Sequence, residues 1–250
     1  MRKLICCLVV CCQLSMAVAQ TVRVAAAADL RYALDEIVKL YQSENPGAKI
    51  NVSFGSSGNA YQQILRGAPY DLFFSADRFY PDELHKKGMT KGAPQLYAYG
   101  RLVIWSKQIN VSRGVHTLND PGIHRIAVAN PAHAPYGQRA VECLKKWKLY
   151  DKLESKLVYG ENISQAAQFA QTGNAQVGIL ALSLALSPAM KENGNYFLID
   201  PQTYTPLEQA FVIINKDKIL PETYKFAAFM DSPQAKKILL SYGFEIPAKE

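Results

Sequence analysis

The chain has 250 residues, a formal net charge of +7, 49% hydrophobic residues and 20% charged ones. That length and apolar content suffice for one or two buried cores and exclude an unfolded, solvated chain. The basic residues are scattered, with pairs at Lys86-Lys87, Lys145-Lys146 and Lys236-Lys237 that read as solvated helix faces; no basic stripe with interleaved aromatics points to nucleic acid.

Residues 1–19 read as a signal peptide. Arg2 and Lys3 precede an apolar run from Leu4 to Leu14 that is too short to span a bilayer, and Ala17-Val18-Ala19 offers a cut ahead of Gln20. A short membrane anchor is the alternative; a lipoprotein site is not supported at Cys11 or Cys12. Cleavage removes Cys6, Cys7, Cys11 and Cys12, leaving Cys143 and no internal disulfide. Cys143 lies in a helical pattern and reads as a small buried hydrophobe. The mature chain is expected to be soluble and periplasmic.

Val22 to Ala26 predicts a strand and Asp29 an N-cap, followed by Leu30, Ala33, Leu34, Ile37, Val38 and Tyr41 at helical spacing until Asn45-Pro46-Gly47. Ile50 to Phe54 is the next strand, and Ser57 or Gly58 opens a helix through Leu65. Gly67-Ala68-Pro69 turns into an apolar strand, Asp71 to Ser75, and Pro81 suits the first turn of another helix. Leu96 to Ser106 and Gln209 to Asn215 are long β-like runs, read as the strands that leave a first lobe and return to it. Between them Arg125 to Ala129, Lys156 to Tyr159 and Val177 to Leu180 predict strands. Gly137 to Leu149 and Ser164 to Thr172 predict helices, the latter with Ala166, Ala167, Phe169 and Ala170 inward and Gly173-Asn174 at its end. Pro221 to Met230 and Pro233 to Ser241 are the last helices, the second capped by Ser232. No internal sequence repeat is evident. The expected fold is α/β, two doubly wound three-layer lobes joined by crossover strands, with residues 20–98 plus 209–250 in lobe 1 and 99–208 in lobe 2.

Four turns in this scheme end a strand and open a helix with small or polar residues: Ala27-Ala28-Asp29-Leu30, Gly55-Ser56-Ser57-Gly58, Ala134-Pro135-Tyr136-Gly137 and Glu161-Asn162-Ile163-Ser164. Each leaves backbone N–H groups at the positive end of a helix dipole, which favours an anion. Ser56 and Ser57 add hydroxyls, while Gly55 and Gly58 allow close backbone approach. Singly, each turn is an ordinary cap or packing turn. Jointly, two per lobe at the carboxyl ends of strands, they face one cleft and suit a small oxyanion held by neutral donors. Other chemistries lack their residues. His85, His116, His124 and His133 have no metal-ligand spacing, and His133 reads as a surface histidine or a rim residue of the cleft. No nucleophile elbow, Walker or dinucleotide pattern occurs. Asp71 and Asp77 straddle a strand end, and Asp77 reads as a turn acceptor. The expectation is a binding protein rather than an enzyme, with no cofactor and no direct cation ligand.

At these residues the chain resembles the periplasmic molybdate/tungstate-binding proteins of ABC importers, which have the type II periplasmic binding protein fold. The blocks are Val24 to Leu30; Gly55-Ser56-Ser57-Gly58 with Gly67 to Asp77; Asn130-Pro131 with Ala134 to Gly137; and Ser232 to Ala235 with Tyr242-Gly243-Phe244. The resemblance implies that the Ala28-Asp29 turn, Ser57, Tyr136 and Ile163 supply the ligand donors, with Ser56 beside them. Tyr136 and Ile163 would act through backbone N–H, Ser57 through both hydroxyl and N–H. It also implies an inner-membrane permease as partner and a monomeric receptor. Two positions depart from the family's pattern: Ala28-Asp29 replaces a Ser or Thr-Asn turn, and Ala181 replaces a tyrosine. A carboxylate repels a dianion in a dry cleft. Asp29 is therefore expected to cap its own helix and offer its N–H, or else to accept a proton from a protonated oxyanion such as hydrogen phosphate or hydrogen arsenate.

The reading is a receptor that closes on molybdate or tungstate and delivers it to a permease. Its rivals are the same fold binding a protonated oxyanion, a secreted hydrolase using Ser56 or Ser57, and a sensory ligand-binding domain. The hydrolase needs a histidine within hydrogen-bond reach of either serine.

Overall fold

The structure is a computed structural model that describes residues 21–248; the signal-peptide expectation lies outside them. Its strands in chain order are β1 (Thr21–Ala27), β2 (Lys49–Gly55), β3 (Leu72–Ser75), β4 (Gln95–Gly100), β5 (Leu102–Ser106), β6 (Ile126–Ala129), β7 (Leu157–Gly160), β8 (Val177–Ala181), β9 (Asn195–Leu198) and β10 (Leu207–Ile213). The helices are α1 (Arg31–Glu44), α2 (Ser57–Leu65), α3 (Phe79–Lys86), α4 (Pro135–Lys146), α5 (Tyr150–Leu153), α6 (Ile163–Gln171), α7 (Leu182–Ala185), α8 (Pro188–Lys191), α9 (Pro221–Phe229) and α10 (Pro233–Ser241).

The strands form two five-stranded sheets, ordered β2-β1-β3-β10-β4 and β7-β6-β8-β5-β9. In the first, β1 runs parallel to β2 and β3 while β10 is antiparallel to β3 and β4. In the second, β6 runs parallel to β7 and β8 while β5 is antiparallel to β8 and β9. The lobes therefore repeat one topology without an evident sequence repeat. In both, the chain leaves an interior strand, β1 or β6, for neighbours on opposite sides, which opens a crevice at the carboxyl ends.

Helices cover both faces of each sheet. In lobe 1, Val22, Val24 and Phe74 pack with Leu34, Ile37, Phe226 and Leu239 on one face; Phe73 and Val212 pack with Ile64 and Leu84 on the other. Leu34 and Ile37 are fully buried, and burying each such side chain contributes about 1.5–3 kcal/mol. Lobe 2 has one continuous core around Trp105, Val128, Leu144 and Ile179, and this cluster also takes in Ala27, Ala28 and Ala76 from lobe 1. The lobes thus meet through small apolar residues, in a closed arrangement.

Three local expectations differ. The run from Leu96 to Ser106 breaks at Arg101, where the chain passes from the first sheet to the second as β4 gives way to β5. The helix placed at Gly137 to Leu149 starts at Pro135 and stops at Lys146, because Lys148 takes a left-handed φ of 57° that ends α-helical bonding. Asp29 is not an N-cap. Residues Ala28–Leu30 form a 3-10 turn before α1, with no side-chain cap on either, and the Asp29 carboxyl is drawn instead to Gln209.

Candidate functional site

The four turns follow β1, β2, β6 and β7, which are equivalent strands of the two sheets. They converge on one cavity of about 10 Å³ between the lobes, space for roughly one water. Ala28, Asp29, Ser56, Ser57, Tyr136 and Ile163 all line it, with Gly55, Ala76 and Ala134 among their neighbours. Among the described residues no lysine or arginine lines it.

Local chemistry explains which donors remain free. Ser56 caps α2 by accepting from the Asn59 amide, and Asn162 caps α6 by accepting from the Ser164 and Gln165 amides. Such caps satisfy the second or third amide of a helix and leave the first. Those first amides belong to Ser57 and Ile163. Helix α4 has no side-chain cap and begins with Pro135, so its first N–H is that of Tyr136. Among the described residues none of these three amides has a protein acceptor, although Ser57, Tyr136 and Ile163 are all buried. Orphaned buried N–H groups are rare. The Ser57 hydroxyl accepts from the Ala76 amide at 3.0 Å, which leaves its proton to donate.

Around this cluster the lobes are tied by polar contacts that the sequence reading did not identify. Ser164 Oγ donates to the Ala28 carbonyl at 2.9 Å and Ser183 Oγ to the Asp29 carbonyl at 2.8 Å. The Gly58 amide donates to the His133 carbonyl at 2.9 Å, and Asn59 Nδ2 to Glu161 Oε1 at 2.6 Å. Ala181 is fully buried at the end of β8; Ser183, two residues on, is the hydroxyl that reaches the first turn.

Asp29 sits in a buried polar chain. Gln209 Nε2 donates to Asp29 Oδ2 at 2.6 Å and to the Tyr136 hydroxyl at 3.2 Å, while the Tyr97 hydroxyl donates to Gln209 Oε1 at 2.6 Å. Asp29 Oδ1 is buried without a geometric hydrogen-bond partner. Burial pushes the Asp29 carboxyl up to about 6, against the pull of Gln209, the neighbouring Tyr136 hydroxyl and local backbone N–H groups. Burial likewise holds the Tyr97 and Tyr136 phenols well above their ordinary range, with the Asp29 charge adding to it. Tyr136, expected to matter only through its backbone, thus also carries a hydroxyl to this chain. Gln209 was read as nothing more than a strand residue; a buried amide in a strand has no local signature, since only the fold brings it to Asp29.

His133 is not a free surface residue: its Nδ1 lies 2.9 Å from Ser56 Oγ, and Nε2 lies 3.8 Å from Glu161 Oε1. A histidine within reach of Ser56 is what the hydrolase alternative required. The pair, however, joins opposite lobes, so any opening that admits a substrate separates the base from the hydroxyl. Ser56 Oγ is also engaged in capping α2. The remaining candidates are structural. Asp77 accepts from Ser75 Oγ at 3.2 Å; Asp71 accepts from the Arg23 amide and from Lys216 Nζ. Cys143 is buried, its thiol pushed up to about 11 by burial, which makes it inert. No cluster of acids, histidines and cysteines suited to a metal ion occurs among the described residues, and none of their helices is long and apolar enough to cross a membrane.

Comparison with known proteins agrees with this architecture. Residues 22–245 match the family described as bacterial extracellular solute-binding protein. The molybdate-binding protein ModA of Azotobacter vinelandii is 36% identical over 228 residues, covering 90% of each chain. ModA of Rhodobacter capsulatus is 34% identical over 229 residues, covering 91% of this chain and 89% of its own. The solved structure of the Azotobacter vinelandii periplasmic molybdate-binding protein superposes with a TM-score of 0.86 at 31% identity, covering 91% of this chain and all of that one. With the two-lobe α/β fold already in place, this chain belongs to the bacterial extracellular solute-binding proteins, among the homologues of molybdate-binding ModA.

Proposed function

We propose that this protein is the periplasmic binding component of an ABC importer and takes molybdate or tungstate between its lobes for delivery to a membrane permease. The observation that carries this reading is the convergence of the Ser57, Tyr136 and Ile163 amides, buried and without protein acceptors, on one cavity shared by both lobes. The Ser57 hydroxyl and the Ala28-Asp29 turn complete the donor set, with Ser56 at its edge. Convergent neutral dipoles hold a dianion without a counter-ion, and hydrogen bonds to a charged acceptor are roughly twice as strong as neutral ones. In this reading the protein acts as a monomeric carrier without cofactor or catalysis, and the Ser56–His133 pair, which joins opposite lobes, exists only while the lobes are shut. The loaded site is wider than the one described here, since a tetrahedral oxyanion exceeds a water-sized space.

Titration calorimetry against molybdate, tungstate, sulfate and phosphate tests this. One molybdate or tungstate per chain is expected. Binding of phosphate without molybdate would replace this reading with the protonated-oxyanion alternative, for which the unpartnered Oδ1 of Asp29 is the favouring feature.

A further inference from the structure

We propose that Asp29 couples oxyanion binding to the uptake of one proton, so that a neutral carboxyl faces the bound dianion and donates a hydrogen bond to one of its oxygens. This rests on the oxyanion reading above. Asp29 is 1% exposed, lines the cavity, and is the only acidic side chain among the described residues that does so. Its Oδ2 is held by Gln209, while Oδ1 has no geometric hydrogen-bond partner.

Among the described residues, the groups that act on Asp29 include no cation to offset a second negative charge. From β4, Tyr97 faces Asp29; from α4, Tyr136; from β10, Gln209. From α7 and α6, the Ser183 and Ser164 hydroxyls engage the carbonyls of Asp29 and Ala28 rather than the carboxyl. Both phenols are neutral and remain so. The Gln209 amide, the Tyr136 hydroxyl and the local amides of Asp29 and Leu30 support a carboxylate here, and all of them are neutral dipoles.

A dianion brought beside that carboxylate, in a cavity closed to bulk water, meets a like charge at low dielectric. One of the two must take a proton from solvent. An oxyanion that is fully ionised at neutral pH has weakly basic oxygens, so the proton goes to the carboxyl. No covalent bond changes. The complex holds the dianion, a neutral Asp29 and one proton more than the separated partners. The protonated Oδ1 then serves as a hydroxyl donor, the kind of group that the Ser or Thr-Asn turn implied by the resemblance would supply.

The test is calorimetry of the full chain with sodium molybdate at pH 7.5 in buffers of different ionisation enthalpy, repeated from pH 7 to 8. Uptake close to one proton is expected, with affinity weakening about tenfold per pH unit over that range. Asp29→Asn is expected to bind with no proton uptake and a flat pH profile. Wild-type binding with buffer-independent enthalpy and pH-independent affinity overturns the inference while leaving the oxyanion reading intact. Proton uptake that persists in Asp29→Asn also overturns it, because another group then carries the proton. If no oxyanion binds the wild type, both readings fall. If Asp29→Asn does not fold, the wild-type buffer and pH series decides alone.

Discussion

The two lobes present the cleft with the same strand order but arm it differently. In each, one turn opens a helix capped by its own side chain, Ser56 in lobe 1 and Asn162 in lobe 2, and the other turn has no side-chain cap. The capped helices show that a side-chain cap leaves one amide available, because the cap takes amides deeper in the first turn and not the first one. The uncapped turns diverge. Lobe 2 presents the bare start of α4 behind Pro135, whereas lobe 1 presents a 3-10 turn carrying a buried acid. Among the described residues, the side chains that lobe 2 places in the cavity lining are neutral, and the acidic side chain in that lining comes from lobe 1.

Glycines at the starts of α2 and α4 give the sharpest way to break this comparison. A Cβ on Gly137 would overlap the Ala129 carbonyl of its own lobe and come within 2.9 Å of the Pro131 nitrogen. Backbone cannot yield as a side-chain tip does. Gly137→Ala is expected to cost roughly 3 kcal/mol or more of stability, lowering Tm by about 6–12 °C and abolishing oxyanion binding in calorimetry.

The charge asymmetry is tested next. Asp29 shifts from 3.8 in the unfolded chain to about 6 in the fold, so between those values the folded state binds more protons. Stability from this group is greatest at low pH and is lost as pH rises from about 4 to 6, by roughly 3 kcal/mol in all. Thermal melts without ligand should show wild type losing ground to Asp29→Asn across that window and a constant difference above it. Parallel curves throughout would remove the asymmetry.

Gly58 lies across the cleft from its obstacle. An added Cβ there would stand 2.7 Å from the His133 carbonyl and 2.9 Å from the His133 Cβ, both in the other lobe, as well as 2.7 Å from the Tyr80 hydroxyl. Gly58→Ala is expected to hinder closure rather than folding: Tm of the free protein changes by less than about 2 °C, while molybdate affinity falls about 10–100-fold, an overpacking cost of roughly 1.4–3 kcal/mol. Equal losses in both measurements would show that the clash acts inside lobe 1.

The smallest effect is at Ser183, whose hydroxyl crosses to the Asp29 carbonyl. Removing it in Ser183→Ala forfeits one neutral hydrogen bond, worth about 0.5–1.5 kcal/mol. Dissociation is expected to quicken by about 2–10-fold in stopped-flow release, with the association rate little changed.

Much of this was legible in one dimension. The strand-turn-helix junctions at Ala27, Gly55, Ala134 and Asn162 mark the turns that gather around the cavity, because apolar strand runs, proline, glycine and capping residues report local backbone preference. The caps of Asn162 and Ser232 follow from side chains that accept from amides two or three residues on. Asp29 shows why the same rule fails elsewhere: its sequence neighbourhood suits a cap, but a buried glutamine 180 residues away holds its carboxyl. His133 likewise has nothing nearby in the sequence to show that Ser56, 77 positions distant, faces it.

By itself the sequence determined the alternating α/β order, the four helix-opening turns and the burial of Cys143, since these depend on periodicity and on interactions spanning a few residues. Only the tertiary structure decided that the turns meet across one cleft, that Ser164, Ser183 and His133 tie the lobes together, and that Asp29 joins Gln209 and the phenols in a buried polar chain. Those contacts link residues far apart in the chain, and the burial that raises the Asp29 carboxyl exists only once both lobes have excluded water from it.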